Sequence, residues 1–174
     1  MKTNKIIIVG GGSAGFMTAA TLISQFPNKD ITVIESPNIP TVGVGESTLG
    51  QINAWLKLLN IKDEDFMPHT DASYKLSIRF EDFYKKGDGG FHYPFGNVVE
   101  NDYLGSKQLW FYKKKENPET PITDYANSFY ANMALVNNNV LFRNDDNEMP
   151  EFDFENNVAY HFDATKFGLW LKNN

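Results

Sequence analysis

Hydrophobic residues near the N-terminus follow two different periods within 30 residues. Short β-branched runs at 5–9 (KIIIV) and 31–35 (ITVIE) are typical of buried parallel strands, and the segment between them carries Phe16, Ala19 and Ile23 at helical spacing. The order strand, glycine turn, helix, strand predicts a β-α-β unit, and hence an α/β fold with a Rossmann-type core.

After residue 35 the pattern changes twice. The prolines and glycines of SPNIPTVGVGEST predict a loop, and the apolar spacing that follows predicts a helix from Thr48 to Leu59 in which Trp55 packs against the core. From Tyr74 onward apolar and polar residues alternate, which predicts a strand whose apolar face lies opposite Lys75. A lysine in that position is ordinarily solvated.

The second half of the chain is predicted to be mostly helical. Helices are expected at 104–115 and 124–136, with polar loops around short strands at 137–157. Asp163 is a candidate N-cap for a helix that runs to the last residue. We therefore expect a mixed, largely helical region inserted after the second strand of the Rossmann-type core.

Composition excludes several classes of protein. Lysine and arginine number 16 against 22 acidic residues, a net charge of −6 without a broad basic surface, so nucleic acid is not an expected partner. Cysteine is absent, and the three histidines lack neighbours at metal-ligand spacing, so neither disulfides nor a metal site is expected. No apolar run is long enough for a membrane span. We expect a soluble, cytoplasmic protein.

The glycine turn is the strongest candidate site. Gly10, Gly12 and Gly15 occupy the G-x-G-x-x-G positions, which allow a tight turn, close approach of a pyrophosphate and close helix packing. The helix N-terminus supplies unpaired N–H groups for the phosphates. Glu35 ends the second strand and suits ribose hydroxyls. This motif predicts a dinucleotide site but does not separate FAD from NAD.

Five segments in this order, VGGGSAG, VGVGEST, YKLSIRFEDF, PFG and YHFDATKF, resemble the flavin-dependent tryptophan halogenase family. The resemblance runs through nearly the whole chain. It implies that residues 1–50 form the first part of an FAD-binding domain, and that residues 51–174 begin a substrate region and return towards that domain. Members are longer, so the chain looks truncated: the catalytic glutamate and the halide site would lie beyond residue 174, and we expect the chain alone to be at best weakly active.

The resemblance also implies roles for individual residues. The ADP half of FAD would be held by Gly10, Gly12, Ser13, Ala14, Gly15 and Glu35. A loop over the flavin would be formed by Gly43, Val44, Gly45, Glu46, Ser47 and Thr48. Lys75 falls on the catalytic lysine, and Tyr93 and Phe95 fall on the segment that lines the aromatic site, with Tyr93 where members commonly have histidine. A catalytic role requires Lys75 to point into a cavity.

The implied reaction uses reduced flavin, oxygen and a halide ion to halogenate an electron-rich aromatic such as tryptophan, another indole or a phenol. A separate flavin reductase would supply reduced FAD, since no second nucleotide motif occurs in the sequence. A homodimer is left open. Two alternatives remain: another FAD-dependent monooxygenase or oxidoreductase, with Lys75 on the surface, or an inactive nucleotide-binding fragment.

Overall fold

The computed structural model describes residues 3–39, 45–98, 106–141 and 153–174. It divides into two compact units: the first comprises Met1–Tyr74 and Ala159–Asn174, and the second Lys75–Val158. The predicted α/β class is confirmed. The predicted boundary at residue 50 concerns which ligand each part binds, and it stays a prediction.

Strands and helices of both units are numbered along the chain. In chain order they are β1 Lys5–Val9, α1 Ser13–Gln25, β2 Asp30–Ile34, β3 Gly45–Ser47, α2 Gln51–Leu58, α3 Asp63–Phe66, a 3₁₀ turn Met67–His69, β4 Ser73–Lys75, β5 Ser77–Glu81, β6 Gly90–Pro94, α4 Ser106–Glu116, α5 Thr123–Phe129, α6 Asn132–Asn138, α7 Phe154–Asn157, β7 Ala159–Asp163 and α8 Ala164–Asn173. Among the residues described, no helix combines the length and apolar character needed to cross a membrane.

The first unit opens with the predicted β-α-β unit. β1 and β2 pair in parallel, with Ile6 opposite Ile31 and Ile8 opposite Val33. These four side chains are half-buried, whereas on the other face Val9 is 83% exposed, so the predicted burial of these strands is only partial. The sheet packs against α1, which contacts both β1 and β2.

A second sheet of the first unit has the order β3-β7-β4. β3 pairs antiparallel with β7, placing Glu46 opposite Phe162, so the prediction of a loop throughout VGVGEST is wrong for its last residues. Helix α2 begins at Gln51 instead of Thr48. The reason is that Thr48 is bonded to β7: its N–H donates to the Tyr160 carbonyl at 2.9 Å, and its hydroxyl accepts from the Tyr160 N–H at 2.8 Å.

Aromatic rings form the core of the first unit. Phe66 and Phe167 are fully buried, and the Phe162 and Phe167 rings stack with centroids 4.2 Å apart. Tyr160 meets Phe66 edge-on at 5.3 Å. These contacts hold β7 and α8 against α3, because buried rings lose contact with water and gain offset or edge-on packing.

The second unit begins with a hairpin. β5 and β6 pair antiparallel, with Phe80 opposite Phe91 and their rings stacked at 5.2 Å. The strand predicted from Tyr74 is interrupted at Leu76, whose carbonyl accepts a hydrogen bond from the Phe95 N–H at 2.9 Å. The alternation therefore continues across two strands that belong to different sheets.

Helix boundaries differ from prediction in the second unit and agree at the end of the first. The single helix predicted at 124–136 is two helices, α5 and α6, because Tyr130 is extended with φ −121° and ψ 118°. The N-cap role of Asp163 is confirmed: its carboxylate accepts from the Lys166 N–H at 2.8 Å. Within the stretch predicted as polar loops, residues 142–152 lie outside the described residues, and α7 follows.

Candidate functional site

The glycine turn between β1 and α1 has the backbone that its motif predicts. Gly10 has φ +124°, in the region that favours glycine, and its N–H donates to the Ile34 carbonyl at 2.8 Å. A Cβ added to Gly15 would overlap the Gly10 carbonyl oxygen, so α1 approaches the end of β1 as closely as the backbone allows. Gly10 and Gly15 are thus both required by geometry.

The N-terminus of α1 fits a pyrophosphate. Gly12 is the N-cap, without a side-chain hydrogen bond, and a Cβ placed there would meet nothing within 4 Å. The N–H groups of Ser13 and Ala14 stand in the first turn of the helix, where no intrahelical acceptor exists. The Ser13 hydroxyl instead donates to the Ala164 carbonyl at 3.4 Å. The open space at Gly12 and the N-terminus of α1 suit a phosphate group.

Glu35 lies against the glycine turn, and its role as a ribose-binding acid stays a prediction. A Cβ added to Gly11 would overlap its carboxylate. The same carboxylate accepts a hydrogen bond from the Lys172 ammonium of α8. Sequence analysis missed Lys172, because 137 residues separate the two and no local pattern joins them. A ribose hydroxyl would have to share Glu35 with this lysine.

The predicted loop over the flavin is described only in part. Gly43 and Val44 lie outside the described residues. Gly45, Glu46 and Ser47 form β3. The Thr48 hydroxyl donates to the Tyr160 carbonyl and accepts from the Tyr160 N–H. The end of this segment is therefore fixed to β7 by main-chain pairing.

Lys75, at the end of β4, is buried. Its relative exposure is 7%, so the interpretation of Lys75 as a solvated strand residue is wrong. The alternation of apolar residues defines two faces but not what covers them. Burial lowers the pKa of Lys75 from its usual 10.5, because a low-dielectric environment penalises the ammonium form.

The Phe95 ring lies beside Lys75. The ammonium nitrogen is 5.3 Å from the ring centroid, within the range of a cation–π contact. Phe95 follows the last residue of β6 and is half-buried. Tyr93, the other predicted substrate residue, pairs with Ile78 and is 60% exposed. The structure thus brings Lys75 and Phe95 together, and Tyr93 stays on an open surface of the hairpin.

A polar pair occupies the hairpin face that carries Ser77. The Ser77 hydroxyl and His92 Nδ1 are 2.8 Å apart. The pKa of His92 is lowered, mainly by burial and then by the charge of Arg79, its cross-strand partner; Glu81 partly opposes the shift. His92 is therefore favoured as a neutral imidazole near neutral pH.

Asp63 organises the strand that ends at Lys75. Its carboxylate accepts hydrogen bonds from the Tyr74 hydroxyl at 2.6 Å and from the Tyr160 hydroxyl at 2.7 Å. One acid at the start of α3 therefore fixes residues of both β4 and β7. No sequence motif indicates this contact, since the tyrosines lie 11 and 97 residues away.

Comparisons with known proteins agree over nearly the whole chain. A family model described as tryptophan halogenase matches residues 5–174. Tryptophan 6-halogenase ThaL of Streptomyces albogriseolus is 32% identical, with 97% of this chain and 33% of that protein covered.

Solved structures agree with this match. The apo structure of VirX1 superposes with a TM-score of 0.86 at 42% identity, covering 99% of this chain and 33% of that one. Tryptophan 6-halogenase SttH from Streptomyces toxytricini has a TM-score of 0.79 at 30% identity, covering 98% of this chain and 32% of that one. The chain spans about one third of the length of these relatives.

Proposed function

The chain belongs to the tryptophan halogenase family, and from this premise we propose that it serves in flavin-dependent halogenation of an electron-rich aromatic compound. The observation that carries the proposal is Lys75, a buried lysine whose ammonium lies 5.3 Å from the Phe95 ring. A charged side chain is rarely buried without a functional or structural reason.

FAD is the proposed cofactor of the first unit. Gly10, Gly12 and Gly15 shape the turn, and the first N–H groups of α1 bind the pyrophosphate. Glu35 accepts a hydrogen bond from the ribose. When bound, reduced FAD supplies the electrons with which oxygen and a halide ion give hypohalous acid and water. Residues 43–48 are proposed to cover the flavin ring.

Lys75 is proposed to direct the hypohalous acid to the aromatic ring. An ammonium donates a hydrogen bond to the acid and polarises it, whereas a neutral amine takes the halogen to form a haloamine and releases water. Burial lowers the pKa of Lys75 and favours the amine, and the face of the Phe95 ring favours the ammonium. In either form the halogen replaces a ring hydrogen, which leaves as a proton. On the ammonium route the hydroxyl of the acid leaves as water, and on the haloamine route the amine is regenerated. Placing this step at one lysine restricts a reagent that otherwise attacks many groups.

The proposed substrate is tryptophan, another indole or a phenol. Phe95 offers a ring face for stacking, which any of these would accept. Tyr93, exposed on the hairpin, is proposed to contact the substrate through its ring or hydroxyl. A flavin reductase is proposed as the source of reduced FAD, and a homodimer stays open.

A product assay on the complete gene product tests the proposal. The protein is supplied with chemically reduced FAD, oxygen, bromide and a panel of indoles and phenols, and products are identified by mass. We expect brominated products that disappear when bromide is omitted. Hydroxylated products with or without bromide would contradict the proposal and favour the alternative of a flavin monooxygenase.

A further inference from the structure

The segment that presents Phe95 leaves its strand ladder just before that residue. β6 ends at Pro94, which is buried, and the Phe95 N–H donates to the Leu76 carbonyl at 2.9 Å. Beyond this bond the hairpin no longer fixes the chain. The Phe95 carbonyl and the residue after it therefore depend on contacts from elsewhere in the second unit.

Asn132, the first residue of α6, supplies the contact to the carbonyl. Its side chain is buried, with 3% of the residue exposed, and its amide nitrogen donates both to the Phe95 carbonyl at 3.0 Å and to the Asn157 carbonyl at 2.9 Å. The two protons of a carboxamide diverge from one nitrogen, so a single asparagine can join two carbonyls. An aspartate in its place would present only acceptors to them.

Asn157 supplies the contact to the residue after Phe95. Gly96 has φ +90°, and a Cβ added there would overlap the Asn157 side-chain oxygen and come within 2.9 Å of its Cγ. Gly96 therefore has two reasons to be glycine, its backbone conformation and the close approach of Asn157. Asn132 therefore contacts the Phe95 carbonyl, and Asn157 contacts the residue that follows it.

We propose that Asn132 is a positioning residue: by joining the Phe95 and Asn157 carbonyls, it holds the Phe95 ring against Lys75. The functional part of this inference rests on the proposed roles of Lys75 and Phe95, while the geometry stands without them. A ring displaced by about 1 Å from a reacting group can cost about a hundredfold in rate. Asn132 thus sets how well Lys75 and a stacked aromatic meet.

The positioning is tested in the 174-residue chain by NMR, with lysines carrying ¹³C at Cε and with Lys75→Arg to identify the Lys75 signal. In the wild type we expect Lys75 to titrate below pH 10.5 and to show contacts with Phe95 ring protons. In Asn132→Asp we expect the titration to move towards 10.5 and the ring contacts to weaken. Asn138→Asp makes the same change at an exposed position of α6, where the amide donates to the Ala134 carbonyl one turn back in the same helix, and should leave both unchanged.

Gly96→Ala approaches the same segment from its other side and should move the Lys75 signal in the same direction. If Asn132→Asp remains folded with the titration and ring contacts of the wild type, the inference is overturned. If Asn132→Asp does not fold, the inference is tested in the wild type by the rate at which the Asn132 carboxamide protons exchange with solvent, compared with those of Asn138. Protection well above that of Asn138 supports the inference, and equal exchange overturns it.

A second arm uses the complete gene product. We expect Asn132→Asp to lower halogenated product per flavin oxidised at least about tenfold while flavin oxidation continues. If the wild type halogenates and Asn132→Asp matches it, the positioning role is wrong although the proposed function stands. If the wild type does not halogenate, the proposed function fails, and the NMR comparison alone decides whether Asn132 positions Phe95.

Discussion

The glycine turn of the first unit and the Lys75 segment of the second differ in how far along the chain their determinants lie. Gly10 and Gly15 lie within one stretch of six residues. They shape the turn through the positive φ of Gly10 and the close approach of Gly15 to the Gly10 carbonyl. Lys75 has Phe95 beside it, and Phe95 depends on Asn132. We therefore expect the turn to depend mainly on its own glycines, and the Lys75 segment to be sensitive to distant residues as well.

Two glycine substitutions provide the largest expected effect in this comparison. Gly15→Ala should lower the free energy of unfolding by about 3 kcal/mol, because its Cβ would overlap the Gly10 carbonyl. Gly12→Ala meets no neighbour, so it should change stability by less than about 1 kcal/mol. Both should abolish FAD binding by the complete gene product, since a methyl group at Gly12 occupies the space proposed for the pyrophosphate.

Equilibrium denaturation and flavin-binding titrations separate the two glycines. If a folded Gly12→Ala protein binds FAD as tightly as the wild type, the pyrophosphate does not bind at this turn. An unchanged stability of Gly15→Ala would show that α1 can move away from β1. The close approach at Gly15 would then not be required for the turn.

Asp63 tests the long-range side of the comparison. Asp63→Ala removes the acceptor of the Tyr74 and Tyr160 hydroxyl bonds and should cost about 2 kcal/mol of stability. Glu64→Ala, one residue along the same helix, breaks an exposed ion pair with Lys62 and should cost about 0.5 kcal/mol or less. Urea denaturation of both variants measures the difference. Equal costs would mean that β4 is held without the Asp63 bonds.

His92 gives the smallest expected effect, a pH dependence. Its pKa in the folded chain is below 6.5, so the unfolded chain binds more protons between that folded value and pH 6.5. Stability should therefore fall as the pH drops through this window and recover above pH 6.5. His92→Gln should flatten this slope, and His69→Gln, at an exposed position, should serve as the control. Thermal unfolding from pH 5 to 8 checks this, and an unchanged slope in His92→Gln would refute it.

The two regions also differ in what could be predicted from sequence. The β-α-β unit and the Asp163 cap follow from local spacing and capping chemistry, and both are present. The start of α2 was misplaced because Thr48 bonds to Tyr160, 112 residues away. Alternation around Lys75 assigned it to the polar face but could not identify Phe95 as its neighbour. Local patterns predict local conformation, and burial depends on partners that are distant in sequence.

Lys172 and Asn132 extend this lesson to the candidate site. Each bonds to a residue that the sequence did identify, Glu35 and Phe95 respectively. Neither belongs to a motif, since a lysine near a helix end and an asparagine at a helix start are common in any chain. The motif residues could thus be predicted, while the residues that orient or neutralise them could not.

The most direct test of the central claim is the yield of halogenated product per flavin oxidised by the complete gene product, compared between wild type and Lys75→Ala. Lys85→Ala, at an exposed lysine of the hairpin, is the control. If Lys75 directs the halogenating species, Lys75→Ala should lower this yield about a hundredfold or more while flavin oxidation continues, and Lys85→Ala should match the wild type. An unimpaired Lys75→Ala protein would contradict the account and leave Lys75 as a buried structural residue.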